Sequence, residues 1–257
     1  MKPQIALITG ATSGIGKATA SLFAQHGIAL VLCGRNQTAL KNLQETLGKH
    51  TKVLSLNFDL RDREAVCKAV EGLPPDFQNI DILINNAGNA HGLSTLQTGS
   101  VADWDAMIDT NVKGLLYITK AVLPVMIRRN HGSIVNIGSV AGKEVYAKGN
   151  VYCASKHAVN ALNKAMRLDL NEYDIRVSAI HPGAVETNFS KVRFKGDETR
   201  AQKVYEGYTA LQAADIADII YFVITRPPQV TIEDLVVYPS AQASAHLLRK
   251  NQHSDDQ

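Results

Sequence analysis

Short apolar runs rich in β-branched residues alternate with amphipathic stretches along almost the whole of this 257-residue chain. That alternation constrains the fold more than any other feature, because strand–helix repetition is the sequence form of βαβ units and a parallel sheet. The pattern predicts strands at Gln4–Thr9, Ala29–Cys33, Val53–Asn57, Ile80–Ile84, Ser133–Gly138, Arg176–Ile180 and Leu235–Val237. Several are continuously apolar, as expected of parallel strands covered by helices on both faces. Helices are predicted near Ile15–His26, Gln37–Leu47, Arg63–Leu73, Val101–Asn130, Val151–Tyr173 and Ala213–Thr225. Pro74–Pro75 and Pro227–Pro228 punctuate helix ends, since proline cannot continue a helix from within. No repeat or low-complexity linker interrupts the pattern. Residues 1–250 therefore read as one doubly wound α/β domain of about seven strands, followed by a polar tail at Asn251–Gln257.

Composition excludes several functions. A hydrophobic fraction of 45% and a charged fraction of 20% are ordinary for a globular protein. A net charge of +3 is too small to argue for nucleic acid or a membrane surface. No apolar run approaches the ~18 residues that a membrane span needs. Cys33, Cys67 and Cys153 form no CxxC motif and no Cys/His cluster, so no metal is expected and the thiols suit a reducing compartment. Met1–Gln4 runs into a strand with no basic n-region or cleavage site. The expectation is a cytoplasmic protein whose partner is a small molecule.

Between the first strand and the first helix lies ITGATSGIG, with Gly10, Gly14 and Gly16 spaced GxxxGxG. Glycine is needed where a backbone turns with positive φ or approaches a ligand without a Cβ in the way. The unpaired N–H groups of the following helix then face an anion in the turn, typically a pyrophosphate. By itself the spacing also suits a tight strand–helix turn with no ligand. It is neither the GxGxxG of most dinucleotide folds nor the GxxxxGK[ST] of a P-loop.

Tyr152 and Lys156 are four residues apart in a predicted helix and share a face. A free phenol, with a pKa near ~10, is a poor base at neutral pH. An ammonium ~4.5 Å away, at an effective dielectric of ~20, favours the phenolate by roughly 3–4 kcal/mol. That amounts to about two to three pKa units, so the pair would bring the tyrosine towards neutrality. Such a tyrosine exchanges a proton with an alcohol or carbonyl while hydride moves. Alone, YxxxK also describes an ordinary surface pair. Ser139 closes the predicted strand VNIGS at the carboxyl edge, where α/β sheets place ligands, and its hydroxyl can hold a reacting oxygen together with Tyr152.

Taken in order, TGxxxGIG at Thr9–Gly16, NNAG at Asn85–Gly88, Asn111, Ser139, YxxxK at Tyr152–Lys156 and PG at Pro182–Gly183 resemble the short-chain dehydrogenase/reductase family over nearly the whole chain. The resemblance implies a Rossmann fold and an NADP- or NAD-dependent oxidoreductase. It assigns Tyr152 as acid/base, Lys156 as the group that lowers its pKa and binds the nicotinamide ribose, Ser139 as substrate anchor, and Asn111 as part of a proton relay. It also assigns the turn from Gly10 through Thr12, Ser13, Gly14, Ile15 and Gly16 to the cofactor. Asp59 and Leu60 would meet the adenine edge, Asn86 and Gly88 the adenosine ribose, and Pro182, Gly183, Val185 and Thr187 the nicotinamide carboxamide.

The second strand ends in Gly34 and Arg35, where an acidic residue would accept from a free ribose 2′-hydroxyl and repel a 2′-phosphate. The guanidinium of Arg35 suits a phosphate instead, so NADP is favoured over NAD. Many NADP-using relatives carry a basic residue where this chain has Ser13.

Ala184–Tyr208 occupies the family's substrate lid and carries Lys191, Arg193, Lys195 and Arg200, which could meet a small anion. GNVYxAxK, PGxVxTxFSxVRFKGD and the late DIAD helix resemble the branch of NADP-dependent 3-hydroxy acid (serine/allo-threonine) dehydrogenases. Arg193 is the expected partner of the substrate carboxylate, because its guanidinium can grip both oxygens, with Lys191 and Lys195 as weaker candidates. The alternatives are a general reductase of carbonyl, 3-oxoacyl, sugar or ketone substrates, and a non-catalytic NADP(H)-binding sensor. Apolar residues on more than one face of LLYITKAVLPVMI further suggest a homo-oligomer, most simply a tetramer, which is also the family's habit.

Overall fold

The computed structural model describes residues 4–250; the tail expected at 251–257 lies outside the described residues. Seven parallel strands form one sheet in the order β3-β2-β1-β4-β5-β6-β9. They are β1 (Ile5–Thr9), β2 (Ala29–Gly34), β3 (Val53–Asn57), β4 (Ile82–Asn85), β5 (Gly132–Ile137), β6 (Ile175–Pro182) and β9 (Asp234–Val237). Helices α3 (Arg63–Glu71), α5 (Leu115–Arg129) and α6 (Asn150–Asp169) cover one face, with Leu7, Leu83, Ile118 and Val122 in the core between. Helices α1 (Gly14–Gln25), α2 (Gln37–Leu47) and α9 (Ala213–Ile224) cover the other, around Ile8, Phe23, Leu32 and Ile220. Strands buried on both faces explain the continuous apolar runs. This is the doubly wound Rossmann-like architecture that the alternation predicts.

Helix starts follow local capping chemistry. The side chain of Asn36 accepts from the Ala39 N–H at 2.9 Å to open α2, and Asp62 accepts from Ala65 at 3.0 Å to open α3. Strand order reverses between β1 and β4, and a crevice opens there at the carboxyl ends of the strands.

One predicted helix is corrected. The span Val101–Asn130 is not continuous: α4 (Val101–Ile108) and α5 are joined by a π-helical segment, Asp109–Gly114. The widened turn sets Asn111 in the interior. There its Oδ1 accepts from the Asn89 N–H at 2.8 Å, and its Nδ2 donates to the Asn89 carbonyl at 2.8 Å and to Ser155 Oγ at 3.0 Å. Such bulges collect at functional sites because they turn one side chain out of helical register. Sequence periodicity also passed over the lid, built from α7 (Phe189–Arg193), α8 (Glu198–Lys203) and the two-stranded pair β7 (Val185–Glu186) and β8 (Leu211–Gln212).

Candidate active site

The crevice is a cavity of about 380 Å³ that runs from the end of β2, across the glycine turn, to α6 and the lid. Gly10 and Gly14 adopt the left-handed conformation, at φ 64° and 51°, which only glycine adopts without strain. Thr12, Ser13, Gly14 and Ile15 line the cavity. Gly16 does not; a Cβ there would collide with the Gly10 carbonyl, so its service is to seat α1 against the turn. Ser13 caps α1 without a side-chain hydrogen bond, which leaves the N–H groups of the first turn facing the cavity.

Asn86 ties β4 to this turn by donating to the carbonyls of Thr9 and Gly10 at 2.9 and 3.2 Å. Gly88 sits where a Cβ would come within 3.3 Å of both Lys156 Nζ and Asn111 Oδ1. At the far end, Gly34 and Arg35 lie beside Asp59 and Leu60 on the wall. The Arg35 side chain is 66% exposed, and its guanidinium is 4.0 Å from the Asp59 carboxylate. That carboxylate is already gripped by Arg61, through Nε at 3.1 Å and Nη2 at 2.7 Å, which holds its carboxyl below the usual range. Arg35 is thus left with donors to spare. Pro182, Gly183, Val185 and Thr187 form the opposite flank.

A dinucleotide phosphate fits this donor set. The floor is glycine, the N–H-rich turn lies midway, and an arginine waits beside the adenosine end. Asn89, on the wall, has its Oδ1 buried without a hydrogen-bond partner.

At the other end, α6 places Tyr152 and Lys156 on one buried face. Ser139 lies two residues beyond β5 and opens a short turn in which its Oγ accepts the Ala141 N–H at 3.1 Å. One lone pair of that oxygen is therefore occupied and its O–H remains to donate. The same hydroxyl stands near the Tyr152 phenol and favours its ionised form. Burial raises the phenol above its ordinary value, with Tyr146 adding to it and Ser139 and Arg193 acting the other way. The Lys156 ammonium instead donates to the Ile137 carbonyl at 2.9 Å, and burial pushes its pKa down to about 8. Sharing a helical face brought the two side chains into one site but did not decide which neighbour takes the charge.

The lid supplies a cation. The Arg193 guanidinium lies 5.5 Å from the centres of both the Tyr152 and Tyr146 rings. Its Nη2 donates to the Tyr146 hydroxyl at 2.7 Å and its Nε to the Gly92 carbonyl at 3.2 Å. The Arg193 carbonyl in turn accepts the Gly92 N–H at 2.9 Å. Of five guanidinium N–H bonds, three are unused within the protein; Arg193 lines a small neighbouring pocket that meets the main cavity at Tyr152. The weaker candidates are engaged elsewhere: Lys191 pairs with Glu198 at 2.8 Å and Lys195 with Asp103 at 3.0 Å, both on the surface. Tyr146 and Phe189, whose ring packs 5.6 Å from that of Tyr152, complete this end. Sequence reasoning gave neither a role: Tyr146 stands in no motif, and Phe189 entered only as one letter of PGxVxTxFSxVRFKGD.

The profile of the short chain dehydrogenase family matches residues 4–198. The NADP-dependent 3-hydroxy acid dehydrogenase YdfG of Escherichia coli is 45% identical over 245 residues, 95% of this chain and 98% of that protein. Sulfoacetaldehyde reductase 2 of Chromohalobacter salexigens is 43% identical over 93% of this chain and 96% of its own length. Among solved structures, the closed form of serine dehydrogenase complexed with NADP+ superposes with a TM-score of 0.91 at 44% identity, covering 97% of this chain and all of the other. Motifs, fold and relatives agree: the chain belongs to the short-chain dehydrogenase family of oxidoreductases.

Proposed function

We propose that the protein is an NADP-dependent dehydrogenase of small 3-hydroxy acids, moving hydride between the β-hydroxyl carbon and the nicotinamide. The observation that carries this reading is the Arg193 guanidinium held against the Tyr152 ring with donors to spare. A carboxylate leaving water costs several kcal/mol unless it is paired, so a cation beside the proton-transfer group selects anionic substrates. The two kinds of relative support the same geometry. A 3-hydroxy acid carries its carboxylate, and sulfoacetaldehyde its sulfonate, on the carbon next to the reacting one.

NADP supplies or accepts the hydride when bound. Arg35 would meet its 2′-phosphate, the glycine turn its pyrophosphate, and Lys156 its nicotinamide ribose. In oxidation, Ser139 donates to the substrate oxygen and orients it while Tyr152 takes the hydroxyl proton; in reduction, Tyr152 gives that proton to the carbonyl oxygen. Asn111 anchors the Asn89 backbone beside Lys156, in the position where the family runs its proton relay.

The same reading places the enzyme in the cytoplasm, where Cys33, Cys67 and Cys153 stay free. No described helix is long and apolar enough to cross a membrane. It also makes the enzyme a homotetramer, supported by Leu116 and Leu168, which stand exposed on α5 and α6.

A screen of serine, allo-threonine, 3-hydroxypropionate and 2-hydroxyethanesulfonate against neutral secondary alcohols, with NADP⁺ and then NAD⁺, tests the assignment. Turnover of the anions with NADP⁺ is expected. Faster turnover of the neutral alcohols would instead make the protein a general carbonyl reductase.

A further inference from the structure

Directly behind Ser139 lies a titratable group that the mechanism above does not use. His181, in the last turn-ward part of β6, is wholly buried, and its Nδ1 lies 3.2 Å from the Ser139 carbonyl. The imidazole occupies the space where Gly138 has no side chain, since a Cβ there would strike the ring. A carbonyl can only accept, so the hydrogen bond requires the proton on Nδ1. The other ring nitrogen, Nε2, has no hydrogen-bond partner and faces the Asp234 carboxylate of β9 at 3.6 Å. Lys143 sits on the same carboxylate oxygen and also donates to Asn160 of α6 at 3.0 Å. The carboxylate charge is thus met by an ammonium and not by the imidazole.

We propose that His181 is a positioning residue for the reaction: its Nδ1–H holds the Ser139 backbone, and Lys143, by pairing with Asp234, weakens the pull of that carboxylate on a proton at Nε2. The groups facing the ring are the Ser139 carbonyl, Asp234, Lys143 and, farther off, Lys156. Burial, with Lys143 adding to it, pushes the imidazole down to about 4, so it stays neutral at physiological pH. Neutrality preserves the single-donor ring that the hydrogen bond uses. The arrangement links the ends of β5, β6 and β9 to α6, the helix that carries Tyr152 and Lys156. The same contact that seats Ser139 therefore fixes its place relative to the phenol.

The inference rests on the assignment of Ser139 as the substrate anchor, and the experiment separates the two. In the full chain with ¹⁵N-labelled histidine, the signal that disappears in His181→Asn identifies this ring. It is expected as the Nδ1–H tautomer, without titration between pH ~6 and ~8. An Nε2–H tautomer or a charged ring overturns the proposal, whatever the variants do. In kinetics with the best acid from the screen, His181→Asn keeps an amide N–H near the Nδ1 position and should hold kcat within about threefold. His181→Gln and His181→Leu should lower kcat about tenfold or more with the NADP⁺ KM unchanged, because small misplacements of a reacting group are costly. Equal kcat in all three variants, or an Asn variant as slow as the Leu variant, overturns it. Ser139→Ala is the control. If that variant stays active, the anchor assignment fails; if it alone is impaired, only the role of His181 does.

Discussion

The crevice has two halves built on different principles. At the cofactor half, backbone carries the recognition: Gly10 and Gly14 turn at positive φ, Gly16 lets α1 close on the turn, and Gly34 and Gly88 clear space along the wall. At the substrate half, side chains do it. Arg193, Tyr146, Phe189 and Tyr152 lean on one another across segments distant in sequence, and the lid is fastened through Arg193 to Gly92 and through Lys195 to Asp103. Backbone sites accept few residue types and keep one ligand. Side-chain sites change with a single substitution, which is how one fold serves many substrates on a constant cofactor.

Tyr152, where the halves meet, should give the largest effect. Tyr152→Phe removes the proton-transferring oxygen and little volume, so kcat should fall by ~10²–10⁴-fold while NADP⁺ still binds. Turnover within a few-fold of the parent would remove the acid/base role. On the cofactor half, loss of a charge-assisted hydrogen bond is worth ~1.5–3 kcal/mol, so Arg35→Ala should weaken NADP⁺ roughly 10–100-fold and NAD⁺ far less. Equal losses on fluorescence titration would mean that Arg35 does not read the 2′-phosphate. Lys195 of the lid, exposed, pairs with Asp103 of α4, half-buried, and a pair with one partner in solvent is worth about 0–1 kcal/mol. Asp103→Asn should therefore raise the substrate KM only a few-fold and leave the NADP⁺ KM unchanged. A larger change would make that ion pair, and not Arg193, the principal fastening.

The unequal legibility of the halves has the same origin. Glycine spacing, strand alternation and the Tyr152–Lys156 interval are local, so the sheet, the turn and the buried face of α6 could be read from sequence. The break at Asp109–Gly114 could not, because the apolar run around Leu115–Leu116 continues helical periodicity straight past it. Nor could the contact of Tyr146 with Arg193, 47 residues on, or the burial of His181 behind Gly138. Helices of five and six residues in the lid carry too few turns for a period to emerge. Side-chain chemistry alone preferred Arg193 to its lysine neighbours, for the fork of its guanidinium; the structure adds a positional reason, since of the three only the arginine lies over Tyr152.

The smallest effect is on stability. Unfolded histidine takes up a proton near pH 6.5, whereas folded His181, shifted by burial, resists protonation down to about 4. Across that window the unfolded chain binds more protons than the folded one, so His181 contributes a loss of stability as pH falls from 6.5 towards 4. Thermal midpoints of His181→Asn should decline less steeply over this range than those of the parent. Parallel slopes would show that the buried imidazole is not the group responsible.

The central claim is that the lid's guanidinium, and not the constant half of the crevice, selects an anionic substrate. Steady-state kinetics of Arg193→Ala on a 3-hydroxy acid and on an uncharged secondary alcohol test it most directly. Removing this half-buried cation from its anionic partner should raise KM for the acid about tenfold or more and leave KM for the alcohol nearly unchanged. Parallel losses on both substrates would contradict the claim: Arg193 would then only fasten the lid to Gly92, and the partner of the substrate anion would lie elsewhere.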